Sequence, residues 1–295
     1  MTVGSILEGA FRLIKERPGA LLLWIVIQLL VTIASSYALM LIVQGQIDAY
    51  LAGATESEVG VGYLVQTLLI TLAGLVVSSI LYAAALRAVL RPGEGGPGAL
   101  RLGMDEVRTF LLTLLYVIIF FVGMIVLTFI FALFMGGAGT RTAGAGAIIV
   151  MVLVCVIGAY FGTKLSLTYP LTLMRESFAI GEGWSLTDGR FWTLFGAYLI
   201  LFLIMLVVAV ASTVATDWEY FQLIAQYGLN SEQADAFTLR EVQQLAAGDI
   251  DAMLILKWVL GGVQGGLFLA LGAGAVGTAA KELTADEDGL TDTFA

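Results

Sequence analysis

Six long apolar runs, each bounded by short polar stretches, set the pattern of this chain. They lie at approximately Gly19–Val43, Tyr63–Leu90, Thr109–Met135, Ala147–Met174, Phe191–Thr213 and Met253–Ala280. A helix needs about 20 mostly apolar residues to cross about 30 Å of hydrocarbon, and every run meets that length. The pattern predicts an all-α integral membrane domain of six transmembrane helices over residues 1–283, then an acidic disordered tail at 284–295. The first run exceeds the roughly 7–15 apolar residues of a signal-peptide core, so it is expected to remain as an anchor. Between the fifth and sixth runs, residues 216–252 mix polar and apolar positions. TLRE at Thr238–Glu241 has capping-box spacing ahead of Val242 and Leu245, and DWEYFQLIAQYGL precedes it. Two short helices forming an extracytoplasmic cap are expected there, with Trp218, Tyr220 and Phe221 resting at the interface or meeting a partner.

The segments that lead into the odd-numbered spans resemble one another. They read SILEGAFRLIKERPGALLLWIVI, ALRLGMDEVRTFLLTLLYVI and SFAIGEGWSLTDGRFWTLFGAYLI. Each holds a mixed segment, an Arg (Arg17, Arg108, Arg190), and then a span with an aromatic one to two turns in (Trp24, Tyr116, Tyr198). In the first, Val3, Ile6, Leu7, Ala10, Phe11 and Ile14 share a helical face, which predicts an interfacial amphipathic helix ended by Pro18. Leu100, Met104, Val107 and Leu111 repeat the pattern in the second, while Gly181, Gly183 and Gly189 interrupt the third. The even spans also end alike, in LYAAALR, LTYPLTLMR and GAVGTAAK. The chain therefore reads as three repeats of interfacial helix plus helical hairpin.

Charge adds orientation. Of the fourteen Lys and Arg, most sit at the N-terminus (Arg12, Lys15, Arg17), in the second connection (Arg87, Arg91, Arg101, Arg108), in the fourth (Arg175, Arg190) and near the C-terminus (Lys281). The alternate connections hold Arg141 and Arg240, so the positive-inside rule places both termini in the cytoplasm. Composition agrees with a membrane protein, at 59% hydrophobic and 13% charged residues. The net charge of −9 collects in residues 216–252 and in the tail, as solvated acids do, and implies no nucleic-acid partner. Cys155 is a lone cysteine inside a span, so no intramolecular disulfide can form. Trp184 and Trp192 suit the headgroup layer, Arg190 can meet lipid phosphate there, and Asp188-Gly189 suits a turn. With Arg17 and Arg108, these residues are expected to be interfacial anchors.

GWSLTDGRFWTLFGAYL, RLGMDEVR and AGAVGTAAKEL resemble a bacterial family of six-span inner-membrane proteins, related to the membrane domain attached to some glycerophosphodiester phosphodiesterases. The resemblance covers most of the chain and implies a six-helix inner-membrane module associated with lipid or envelope metabolism. The chain departs from those enzymes in lacking their soluble catalytic domain and in having no histidine. Their phosphodiesterase chemistry is not carried over.

The absence of His removes the commonest metal sets and the His-based catalytic arrangements. No cofactor is implied, and no catalytic residue is assigned. Gly93–Gly98 reads as a flexible turn, and Gly248–Asp251 as surface acids without the spacing of a calcium loop. No Asp or Glu lies in the middle of a span, but two lysines do lie within spans. Lys257 is near the end of the last and is expected to snorkel or pair with Asp251 or Glu219.

Lys164 lies deeper. On a continuous helix Lys164, Thr168, Thr172 and Arg175 would share one face, running roughly 16 Å toward the cytoplasm beside the kink expected at Pro170. That stripe is a candidate site for an anion or a lipid phosphate. Equally, Lys164 can snorkel or bond a neighbouring helix. Gly158/Gly162, Gly261/Gly265 and Gly262/Gly266 have the four-residue spacing of close helix packing, within one chain or between copies. The functional expectation is a non-enzymatic inner-membrane protein that binds or organises lipid or supports a complex. The alternative is a transporter or channel for an anionic or amphipathic solute at the Lys164 stripe.

Overall fold

The computed structural model describes residues 1–53, 55–93, 96–135, 140–228 and 232–294; side chains at 50, 56–59, 97, 130–135, 140–148, 232, 234–235, 238, 241 and 286–294 fall outside that description. The capping box expected at Thr238 and Glu241 therefore lies beyond it. The described elements are all helical: α1 (Val3–Glu16), α2 (Pro18–Leu51), α3 (Glu56–Leu90), a 3₁₀ turn at Pro97–Ala99, α4 (Met104–Met135), α5 (Thr140–Leu165), α6 (Thr168–Arg175), α7 (Ile180–Leu186), α8 (Phe191–Thr216), α9 (Trp218–Tyr227), α10 (Glu232–Ala246) and α11 (Ala252–Phe294). Six stretches are long and apolar enough to cross a membrane: Pro18–Ala49, Gly60–Leu90, Met104–Phe129, Ile149–Arg175, Phe191–Thr216 and Ala252–Ala285. Phe121, Ile125, Val152, Val156, Phe202 and Val207 stand exposed along three of these stretches. Apolar surface of that extent suits lipid and not water. The chain is an all-α, multi-pass membrane protein.

Local chemistry reshapes several expected elements. The second entry segment is not a separate surface helix, because α4 already begins at Met104. Asp105 and Glu106 occupy its first turn, where the helix dipole favours acids, and the Gly103 N–H donates to Glu106 Oε2 at 2.8 Å. Met104, Val107 and Leu111 are thus the opening turns of the span itself. The tail expected to be disordered continues α11 in helical form as far as Phe294. Extending an existing helix adds a hydrogen bond for each residue fixed, and Lys281–Ala285 is rich in good helix formers. The fourth run is interrupted between Leu165 and Thr168. Pro170 has no N–H for the Ser166 carbonyl, and Ser166 turns back, its N–H and Oγ both donating to the Thr163 carbonyl at 3.3 and 2.8 Å. Tyr198 OH donates to Ser166 Oγ at 3.1 Å, so side chains supply bonds where the helix breaks.

Two compact units divide the chain. One comprises Met1–Glu16, Ser79–Ile200 and Leu271–Ala295. Within it, α1 buries Ile6, Gly9, Ala10 and Leu13. A Cβ at Gly9 would overlap Thr278 of α11, and one at Gly274 would come within 2.8 Å of the Ala10 Cα. Ser5 Oγ donates to Glu282 Oε2 at 2.9 Å. So α1 docks on α11 through its small residues and leaves Phe11, from the apolar face read in the sequence, exposed.

The other unit comprises Arg17–Ser78 and Leu201–Ala270. Here Gly261, Gly262, Gly265 and Gly266 pack on Thr32, Leu29, Gln28 and Ile25 of α2, so this seam joins helices of one chain. Met40, Leu245 and Trp258 form a core, and Trp258 Nε1 donates to Ser36 Oγ at 3.1 Å. Within this unit α9 and α10 meet through Tyr220 and Phe237, with centroids 5.5 Å apart. Lys257 pairs with Asp217 at 2.5 Å, whereas Asp251 or Glu219 was the expected partner. Asp251 instead accepts the Leu254 N–H at 2.7 Å and caps α11, while Glu219 meets Arg240 at 3.5 Å. Gly158 and Gly162, expected to form a second seam, have open space where a Cβ would stand.

Candidate functional site

Lys164 closes the last turn of α5, and its surroundings are built by α7 and the turn after it. Gly183 brings α7 tight against α6: a Cβ there would stand 2.8 Å from Thr168 Oγ1 and 3.0 Å from the Thr168 backbone. Thr187 is fully buried and donates from Oγ1 to the Trp184 carbonyl at 2.7 Å. The Asp188 N–H donates to the Ser185 carbonyl at 2.9 Å, and Gly189 takes φ +74, reversing the chain into α8. This turn carries Asp188 to the Lys164 ammonium, where the two form an ion pair. The ammonium also lies 5.2 Å from the Trp184 ring centroid, in cation–π range.

The four residues expected to share a stripe are separated by the helix break. Lys164 is buried against Asp188, 24 residues on, and not aligned with α6. Thr168 and Thr172 are wholly buried, and Thr172 Oγ1 accepts the Ala179 N–H at 3.3 Å. Arg175 is exposed and donates through Nε and Nη2 to Glu182 Oε1 at 3.0 and 2.8 Å. Both bases of the stripe thus have an acid of the same chain beside them. Lys164 bonds a neighbouring element, the second of the fates open to it from sequence.

The anchors fall into two groups. Trp184 joins a run of aromatic rings with Tyr160, Phe161, Phe191, Trp192 and Phe195, at centroid separations such as 5.9 Å for Phe161–Trp184 and 6.0 Å for Trp192–Phe195. Trp192 is 78% exposed, and Arg190 is exposed beside it in sequence. The Arg17 carbonyl accepts the Ala20 and Leu21 N–H groups at 3.1 Å as α2 begins. Arg108 lies 3.4 Å from Asp105.

A second polar group was missed in the sequence. Arg87, 1% exposed, donates to the Ala99 carbonyl at 2.7 Å and to Glu106 Oε1 at 2.5 Å, with Asp105 at 3.4 Å. Arg91 donates to the Leu173 carbonyl at 2.6 Å and pairs with Glu176 at 3.4 Å. Lys281 donates to the Val89 carbonyl at 2.7 Å. The available signal was the Arg87/Arg91 pair, one helical turn apart, followed by the adjacent acids that open the next span. Hydroxyls gather near the helix break as well. Tyr169 stacks edge-on with Tyr82 and Tyr116 at 5.2 and 5.6 Å, and its OH lies 3.2 Å from Thr113 Oγ1. Thr168 Oγ1 and the Tyr116 hydroxyl are buried beside this cluster.

Among the described residues, no group of three or more His, Cys, Asp or Glu is placed to hold a metal ion. Comparison with protein-family models, curated proteins and solved structures finds no match for this chain.

Proposed function

We propose that this is a non-enzymatic inner-membrane protein of bacterial type that binds or organises lipid, with both termini in the cytoplasm. The observation that carries the reading is the continuous run of rings from exposed Trp192 to Trp184, which ends over the Lys164 ammonium beside Asp188. Aromatic rings edged by charge are suited to the headgroup layer, where an apolar body and a polar rim are both solvated. A likeness between the first and third of the expected repeats is supported by α1 and α7, since each sets a glycine (Gly9, Gly183) against a threonine of another helix (Thr278, Thr168). The sequence resemblance to membrane domains of lipid-metabolising enzymes points the same way.

Native mass spectrometry from nanodiscs of phosphatidylglycerol and phosphatidylcholine tests the reading. Wild type is expected to retain a defined small number of lipids, and a Trp184→Ala/Trp192→Ala variant fewer. A broad, composition-independent distribution for both would refute it.

One observation favours a transporter as the second reading: a span broken beside buried hydroxyls. Irregular backbone within a membrane occurs where protein or a water-filled cavity surrounds it. Thr168→Cys in a Cys155→Ser background decides the point. Reaction with a membrane-impermeant thiol reagent would reveal an aqueous path, and protection would remove this reading.

A further inference from the structure

The two partners of the Lys164–Asp188 pair are unequally shielded. The Lys164 side chain is 8% exposed, and Asp188 is 66% exposed on the turn before α8. A buried ammonium needs a counter-charge, because desolvating it unpaired is strongly unfavourable. An exposed carboxylate has no matching need, since most of its hydration survives in the pair and all of it returns when it leaves. Lys164 is also held in place by the Trp184 face, whereas the turn residue next to Asp188 is a glycine with positive φ. The requirement for a partner thus lies with the lysine, and freedom to leave lies with the aspartate.

Resting on the lipid-binding reading, we propose that Asp188 is an exchangeable counter-ion and that the Lys164 seat takes a phosphate group when Asp188 withdraws. Phosphate fits the chemistry: its oxygens accept from an ammonium as a carboxylate does, and lysine binds it as a point charge. The exposed side of the pair is where such an anion arrives. Asp188 itself sits on the turn that leads to Arg190 and Trp192, the residues expected at the level of lipid phosphates. The chain therefore carries its own stand-in for the ligand. Asp188 keeps the ammonium neutralised in the absence of phosphate and sets the threshold for binding it.

The sign of one substitution tests this. In nanodiscs holding equal phosphatidylglycerol and phosphatidylcholine, Asp188→Asn should retain phosphatidylglycerol on the order of tenfold more tightly than wild type. Asp188→Glu should behave as wild type. Lys164→Met/Asp188→Asn should lose the gain, with recovery of wild-type thermal stability by Asp188→Asn on adding phosphatidylglycerol as the control for folding. Added inorganic phosphate separates the sources. If it erases the gain, the seat accepts the free ion, and if the gain persists, the lipid phosphate is the ligand; both outcomes support the seat. An unchanged Asp188→Asn, or a gain that survives Lys164→Met, would overturn it. If wild type holds lipid and Asp188→Asn does not differ, the lipid-binding reading stands and the exchange fails. If wild type holds no defined lipid and Asp188→Asn does, the seat is real and the lipid-organising role fails.

Discussion

Arg87 and Glu106 meet at 2.5 Å with both side chains shielded from solvent, joining the end of α3 to the first turn of α4. Glu106 uses its other oxygen on the Gly103 N–H, and Arg87 spends a second nitrogen on the Ala99 carbonyl. Removing one partner leaves the other charge buried and uncompensated. Arg87→Met is expected to destabilise the protein by about 3–5 kcal/mol, while Arg87→Met/Glu106→Leu recovers much of that loss. Reversible denaturant unfolding in detergent micelles measures both.

Gly9 sits where any Cβ would overlap Thr278. Gly9→Ala should cost about 1–3 kcal/mol by overpacking, and Thr278→Ala in the same chain should restore part of it. Additive effects in a double-mutant cycle would show that the two positions do not touch.

Glycines of equal spacing should respond with opposite signs. Gly262→Ala places a Cβ 2.8 Å from Leu29 and should destabilise by about 1–3 kcal/mol. Gly158→Ala and Gly162→Ala enter open space and should be neutral or stabilising by up to about 1 kcal/mol, from helix propensity alone. Thermal unfolding of the single variants settles the order. A loss at Gly158 or Gly162 would mean that another surface packs there.

Trp258→Phe keeps most of the ring among Met40 and Leu245 but deletes the donor to Ser36 Oγ. A cost of about 1 kcal/mol is expected, with Ser36→Ala adding little on top. Denaturant midpoints of the two single variants and the double variant check the coupling.

The spans were legible because their signal is local: an apolar run long enough to cross hydrocarbon states its own fate. What sequence could not supply were relations between runs. Leu100, Met104, Val107 and Leu111 have helical spacing whether they form a surface helix or the first turns of a span, and the decision came from Asp105, Glu106 and the Gly103 N–H. Lys164 and Asp188 were each noticed, one as a candidate ligand-binding base and the other as a turn residue. Their pairing depends on how closely α7 approaches α6, which rests on a single glycine, Gly183, whose neighbour no periodicity reveals. The stripe from Lys164 to Arg175 assumed a continuous helix. Pro170 signalled a kink, but the change of direction at Ser166 and Leu167 is set by hydroxyl bonds to Thr163 and Tyr198.

The docking of α1 on α11 bears on how the molecule is made. Helix α1 is synthesised well before its seat on α11, so Gly9 and Ala10 cannot be covered by that seat until Gly274 and Thr278 have been synthesised and inserted. Until then a translating chain carries an amphipathic helix with nothing of its own to cover it, and the membrane surface is the natural place for it to wait. Docking of α1 is thus coupled to the synthesis of α11.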